Sequence, residues 1–492
     1  MRLKLKGLAW ALLPWMAASS PFPAEERLAV PDGSTHASHI FNALHNSMKM
    51  FGSVLQHNGM SIFIATVPEG TEFYHGTSSP YRINGTEWLA FEPEHAMAFA
   101  HPRRVRRSKS AADQPHDEKP HAESHSHGKH NKRVDTGEEE QTGYFHTYRT
   151  KHPLRLVYFD GQSAAKSLKG TLDMQDILLR NASHFDGSPA EGDNLRADDL
   201  CALARDRWDN RVDGFLRMVG GFEIILCSFA KDLDVVSILS TYPGRSGDGG
   251  SGLSYARALA TRFDGIGGDR VSINYDDFVT MFAYPDAMYF DNHGLPRVVN
   301  DSAKLEQVRA HVDRLVKQLD QTNYAFNWQN IVDMIITRYH YRISLMLSSA
   351  VSTHHELRRE LHLAIEPFIN AHARNSTTEV ERCAKQFWIA GADMTTVPAQ
   401  AISLVSERLC SSLVAGAGAE AYDEGLAIIE DLKRYLDWAV FRKCTCCELN
   451  EVCQLPIWPS GSWEDFVRPQ CGTGMSHGAG GYWDMMGKVR QL

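Results

Sequence analysis

Apolar positions along the chain change their period more than once, and the changes divide it. From Thr35 to Gly59 they recur at helical spacing, with Ile40, Phe41, Leu44, Met48, Phe51 and Leu55 on one face and Gly59 as a stop signal. The short runs "SIFIATV", "EFYH" and "EWLAF" are rich in β-branched and aromatic residues and predict strands. Pro93 then suits the first turn of a helix running to Ala100. Further on, "LRLVYFDG", "FEIILCSF" and "RVSINY" read as strands. Between the first two of these, Asp193 to Gly221 reads as one helix, with Leu200, Leu203, Val212 and Leu216 on one face and Gly220-Gly221 ending it. From Ser302 to Arg442 the period is helical almost throughout, as in the stripe Trp328, Ile331, Ile335, Tyr339, Ile343 and Met346. About five or six packed helices are expected there.

The fold class is therefore α+β. Residues 1–20 are expected to be a signal peptide, 21–101 with 143–299 a mixed strand–helix region, and 102–142 a disordered insertion. Residues 300–443 are expected to be helical and 444–492 a disulfide-rich tail. The leader follows from the cations of "MRLKLKG", the short apolar stretch "LAWALLPWMAA" and the small residues near Ala18. The insertion follows from "RRVRRSKSAADQPHDEKPHAESHSHGKHNKRVDTGEEEQ", which has too little apolar surface to offset chain entropy. Its histidines His116, His121, His125, His127 and His130 are a loose metal-binding candidate, though a solvated loop is the simpler expectation.

Composition narrows the class further. At 492 residues and 43% apolar content the chain can bury sizeable cores, and a net charge of -9 supplies no basic field for nucleic acid. Five of the nine cysteines, Cys444, Cys446, Cys447, Cys453 and Cys471, crowd the tail. In an oxidising compartment that pattern means disulfides, and an odd total leaves one thiol over. Cys201, Cys227, Cys383 and Cys410 are either buried thiols or mutual partners. Sequons at Asn84, Asn181, Asn300 and Asn375 agree with secretion as a glycoprotein. Expected partners are a small molecule or a protein, with no nucleic acid and, once the leader is removed, no membrane.

Several motifs fail on inspection. "GQSAAKS" lacks the second glycine of a phosphate-cradling loop, and "HELRRELH" carries Arg359 where a helical zinc site needs histidine. The loop Gly244 to Gly252 precedes a helix but fits no dinucleotide fingerprint. Asp276 and Asp277 are adjacent, so in a strand they would face opposite ways.

What remains is "EFYHGTSSPYRINGTEWLAFEPEHAMAFA". Over about 30 residues it resembles the first two segments of the ADP-ribosyltransferase fold, in the branch of diphtheria toxin and the poly-ADP-ribose polymerases. The whole chain also resembles uncharacterised secreted proteins of filamentous fungi. The transferase resemblance implies NAD as substrate and requires no metal. His75 would hold a ribose hydroxyl, Gly76 with Thr77 the nicotinamide carboxamide, and a strand-edge glutamate would stabilise the cationic ribose. Glu223, in "GGFEIILCSF", is the candidate for that glutamate. The family's stacking tyrosine falls on Leu89, with Trp88 beside it as a substitute. Two functions follow: NAD glycohydrolase or ADP-ribosyltransferase, or a non-catalytic secreted binding module that keeps the fold.

Overall fold

The structure, a computed structural model, describes residues 33–57, 59–102, 142–181, 192–242, 252–319, 326–475 and 481–483. The expected leader, nearly all of the His-rich insertion and most of the loop from Gly244 lie outside them. The described residues belong to one compact unit.

Its centre is a sheet. Strands β1 (Ser61–Val67), β2 (Glu72–Thr77), β3 (Glu87–Ala90), β4 (Tyr144–Thr150), β5 (Leu154–Phe159), β6 (Gly214–Val219), β7 (Gly221–Leu226), β8 (Leu233–Ser240), β9 (Ser272–Ile273) and β10 (Val279–Thr280) compose it. The order is β10-β1-β5-β6-β7-β3-β2-β4-β8, with β9 also paired to β1. Only the β5–β6 pair is parallel; the other pairings are antiparallel. β5, β6 and β7 are central and nearly wholly buried, which is why each is an apolar run broken by a single charged residue: Arg155, Arg217 and Glu223 in turn.

Helices α1 (Ala37–Asn46), α2 (Pro93–Met97), α3 (Asp193–Asp206), α4 (Phe229–Asp232) and α5 (Leu253–Ala260) accompany the sheet. A helical set follows: α6 (Ser302–Lys317), α7 (Trp328–Met346), α8 (His354–Ile365), α9 (Ser376–Ala384), α10 (Val397–Ala417) and α11 (Tyr422–Leu436). One apolar core runs through both parts, from Phe41 and Phe63 to Leu409 and Leu436. The α+β class stands. No described helix is long and apolar enough to cross a membrane.

Two sequence expectations change. The N-terminal helix stops at Asn46 rather than continuing towards Gly59. More consequentially, Asp193 to Gly221 is not one helix: α3 ends at Asp206, and Gly214–Val219 is a strand. Asp209 and Asn210 both adopt φ of 53°, a left-handed conformation that short polar side chains tolerate and that breaks the helix. Beyond them every residue of β6 is buried, Arg217 included, and a short run buried on both faces cannot be assigned to helix or strand by period alone. Gly220, at φ of 65°, then turns the chain into β7.

Asp160, just after β5, is buried, and burial pushes its carboxyl from 3.8 up to about 8; hydrogen bonding to Ser61 opposes the shift. The folded state thus holds a proton that the unfolded chain releases near 3.8, so this group's contribution is complete below that value and is lost as pH rises through about 8. Asp160→Asn should flatten the decline in stability across that window, read from urea midpoints at several pH values. A variant with the wild-type pH slope would contradict the assignment.

The cysteines pair as Cys201–Cys227, Cys383–Cys410, Cys444–Cys453 and Cys447–Cys471, leaving Cys446 exposed and free. The first two pairs decide the choice left open above: these are partners, not lone thiols. The tail adds a two-stranded sheet, β11 (Met288–Phe290) with β12 (Pro296–Val298) being a separate pair and β13 (Val452–Gln454) with β14 (Gln470–Gly472) the tail's own, plus α12 (Trp463–Val467). Cys447 and Cys471 close a separation of 24 residues. Chain-entropy reasoning then makes the pair worth about 3 kcal/mol. Cys447→Ser with Cys471→Ser should lower the unfolding free energy by about that amount; an unchanged midpoint would show the bridge to be idle.

Candidate functional site

A cavity of about 530 Å³ opens where β2, β3 and β7 meet α2. His75, Gly76, Trp88 and Glu223 border it; Thr77, at the end of β2, does not. Four of the five residues singled out from sequence therefore reach one place, although they come from three strands.

The register explains how. Tyr74 pairs with Ala90, Ala90 with Glu223, and Glu223 with Arg217, so these four side chains stand in a row on one face. Trp88, two residues before Ala90, shares that face. Leu89 alternates to the other face and is fully buried, although it too borders the cavity. Strand alternation thus turns Trp88, and not Leu89, towards the Glu223 side.

His75 departs from that row. Its cross-strand neighbour is His146, and its ring meets those of His146 and Phe229 at 5.9 and 5.7 Å, on the face opposite Glu223. However, Tyr74–Ala90 is the sole bridge between β2 and β3. Past it the strands part, and the His75 Nδ1 lies 2.7 Å from the Trp88 carbonyl oxygen. A carbonyl only accepts, so Nδ1 carries the hydrogen and Nε2 is a bare acceptor. That Nε2 is buried with no hydrogen-bond partner among the described residues. Burial lowers the His75 pKa despite the bond to Trp88, which keeps the ring neutral.

Gly76 has a packing reason as well. A Cβ there would lie 1.9 Å from the Ala96 carbonyl oxygen, so only glycine lets α2 rest on β2. α2 in turn brings His95 to the cavity wall.

Glu223 is held by charge. Arg217, wholly buried, donates from Nε to Glu223 Oε1 at 2.7 Å, from Nη1 to Gln175 at 3.1 Å, and from Nη2 to Asp193 Oδ2 at 3.0 Å. Lys166 approaches Asp193 at 3.0 Å, and Arg196 does so from the other side at 3.0 Å. These cations hold the Asp193 carboxyl well below the usual carboxylate range, although its burial works against them. Lys166, in the rejected "GQSAAKS" loop, lines the cavity, as does Asp193 at the start of α3.

Sequence reasoning missed Lys166, Asp193, Arg217, His95, Tyr255 and Trp458. The usable signal was Gly220-Gly221: read as a hairpin rather than a helix end, it sets Arg217 opposite Glu223. The "HELRRELH" histidines and the Asp276-Asp277 pair remain outside the site. His355 and His362 are exposed on α8. Asp276 accepts from Trp328 Nε1 at 2.7 Å, and Asp277 lies 3.4 Å from His311 Nε2.

The fold and cavity together define an α+β protein with a ligand-sized cleft where two inner strands of the sheet part. Residues 32–142 and 107–245 match the model of the YPL277C N-terminal domain family. Two proteins of Saccharomyces cerevisiae are similar to part of the chain. Uncharacterized protein YOR389W is 30% identical over 208 residues, 41% of this chain and 33% of that protein; uncharacterized protein YPL277C is 29% identical over 209 residues, 41% of this chain and 42% of that protein. The chain thus spans between a third and about two fifths of the length of these relatives. No solved structure matches. The matched residues include His75 and Glu223, whereas Tyr255 and Trp458 lie beyond them.

Proposed function

We propose that the chain is a secreted enzyme that cleaves NAD at the nicotinamide–ribose bond, passing ADP-ribose to water or to an acceptor. The observation that supports this most is the meeting of His75, Gly76, Trp88 and Glu223 around one cavity. In the step, the C1′–N1 bond breaks and its electron pair leaves on the nicotinamide ring nitrogen, discharging the pyridinium. The ribose becomes an oxocarbenium ion, water adds at C1′, and one proton is released. Glu223 would stand against the developing positive charge, where a fixed carboxylate in a largely dry site is most effective. His75 Nε2, an acceptor fixed by its tautomer, would take a hydrogen bond from a ribose hydroxyl reaching it through the gap between β2 and β3, since its ring stands on the face opposite Glu223. Trp88 would flank the ring in place of the family's tyrosine.

The second function, a binding module without catalysis, has its own support. Leu89 is in the core, and Arg217 already counters the Glu223 charge. The two separate on product analysis: the purified chain incubated with NAD should release nicotinamide together with ADP-ribose or an ADP-ribosylated acceptor. NAD recovered intact after prolonged incubation would leave the binding module.

A further inference from the structure

Beyond the Glu223 row, the cavity ends against residues from three distant segments. His95 comes from α2, Tyr255 from α5 and Trp458 from the tail. His95 is 5% exposed, and its Nε2 has no hydrogen-bond partner among the described residues. The Nε1 of Trp458 is likewise buried and unpartnered. An unpaired buried polar atom forfeits its hydration without return, and both atoms belong to residues that border this end of the cavity.

The Tyr255 and His95 side chains and the Trp458 backbone meet around the Gly220-Gly221 turn, and Lys166 Nζ lies 5.6 Å from the centroid of the Trp458 ring. A Cβ on Gly220 would lie 3.1 Å from the Tyr255 hydroxyl, 3.6 Å from the Trp458 carbonyl oxygen and 3.7 Å from His95 Cε1. A Cβ on Gly221 would lie 2.6 Å from Glu92 Oε2 and 3.4 Å from His95 Cγ. The glycine pair that leads into Glu223 therefore leaves room for this wall. His95 Nδ1 lies 2.9 Å from the Tyr255 hydroxyl, which fixes the imidazole in place, and the two rings stack at 6.1 Å.

Charge selects what can enter. Burial, aided by Lys166, lowers the His95 pKa to about 4, so the ring is neutral near pH 7. Lys166 is a cation on the lining, but it is already 3.0 Å from Asp193. Glu87, Asp193 and Glu223 border the same space. An anionic group is disfavoured there, while an uncharged ring suits the apolar walls formed by Phe99, Val219 and Met475.

We infer that His95, Tyr255 and Trp458 form a recognition subsite for an uncharged planar heteroaromatic group bearing a hydrogen-bond donor and an acceptor on one edge, such as a pyridine carboxamide or a nucleobase. The Trp458 N–H donates to the acceptor of that edge, and the His95–Tyr255 pair meets its donor. The inference rests on the cavity being the ligand site of the proposed function, but not on bond cleavage. Two of its three members, Tyr255 and Trp458, lie beyond residues 32–245, outside the portion matched by the family model.

The test is saturation-transfer NMR titration of the full chain with nicotinamide, adenine and nicotinate. At least one of the two uncharged rings should bind saturably, and which one does separates the carboxamide from the nucleobase source. Nicotinate should bind about tenfold more weakly than nicotinamide if the carboxamide is the ligand. Trp458→Phe, which keeps an aromatic six-membered ring and removes the N–H, should weaken the bound ring about three- to tenfold while the protein still shows a cooperative melting transition. Tyr255→Phe supplies a second fold-conserving variant, and it should weaken binding too. Absence of saturable binding by both uncharged rings, nicotinate binding as tightly as a nicotinamide that binds saturably, or unaltered affinity in Trp458→Phe and Tyr255→Phe would overturn the subsite. Ring binding without NAD turnover would retain the subsite and remove the proposed chemistry, whereas turnover with unaltered variant affinities would do the reverse.

Discussion

Glu223→Gln is expected to lower nicotinamide release from NAD by about 10²–10³-fold, the range seen when one fixed electrostatic group is removed from a reacting centre. The substitution is nearly isosteric. The glutamine carbonyl can still accept from Arg217 Nε, now 2.7 Å from Oε1, so the β6–β7 pairing persists and the fold is not the variable under test. What disappears is the negative charge facing the cleaved bond. The loss should fall on turnover rather than on affinity for NAD, because the ribose carries its positive charge only as the bond breaks. A variant with wild-type turnover would contradict a catalytic Glu223. A variant altered only in affinity would assign the residue to binding.

Arg217→Met is the second large effect, and it acts on stability. Arg217 is fully buried between Glu223 and Asp193, whose side chains are 8% and 20% exposed. Removing it leaves Glu223 without its cation in a place with little water. Breaking a buried pair from one side costs about 3–5 kcal/mol, most of it the penalty of the remaining charge. The urea midpoint of the variant should fall accordingly. Adding Glu223→Leu should restore a large part of the loss, since an apolar replacement of both partners is often neutral. A single variant as stable as wild type would mean that Lys166 and solvent already compensate Glu223. A double variant no better than the single would place the cost in Arg217's bonds to Gln175 and Asp193 instead.

The strands and helices most legible in the sequence were those with a clear period. "SIFIATV" is β1 at its own boundaries, and Pro93 opens α2 as its fixed φ suggests. The helical stripes after Ser302 all became helices because each buries one face and leaves the other wet. β4 was missed since "YFHTYRT" mixes polar and aromatic residues directly after the low-complexity insertion. β8 escaped because it is an edge strand that leaves Val236 and Leu239 exposed, so its pattern says little about burial. β6 was lost inside a supposed helix, and Arg217 was lost with it.

The site was half legible for a related reason. His75, Gly76 and Trp88 belong to one short stretch, and Glu223 follows a glycine pair that marks a turn. Lys166, Asp193, Tyr255 and Trp458 meet them only through tertiary packing, across separations that no local pattern encodes. The Gly76 requirement shows why a motif alone decides little: its glycine is needed for α2 to approach β2, whatever the cavity does.

The most direct test is a crystal structure of Glu223→Gln soaked with NAD, the substitution serving to slow turnover. The account predicts the nicotinamide and its ribose in the cavity of about 530 Å³ between β3 and α2, with a ribose hydroxyl within hydrogen-bond distance of His75 Nε2. NAD bound elsewhere on the chain, or absent at saturating concentration while the cavity holds only solvent, would contradict it.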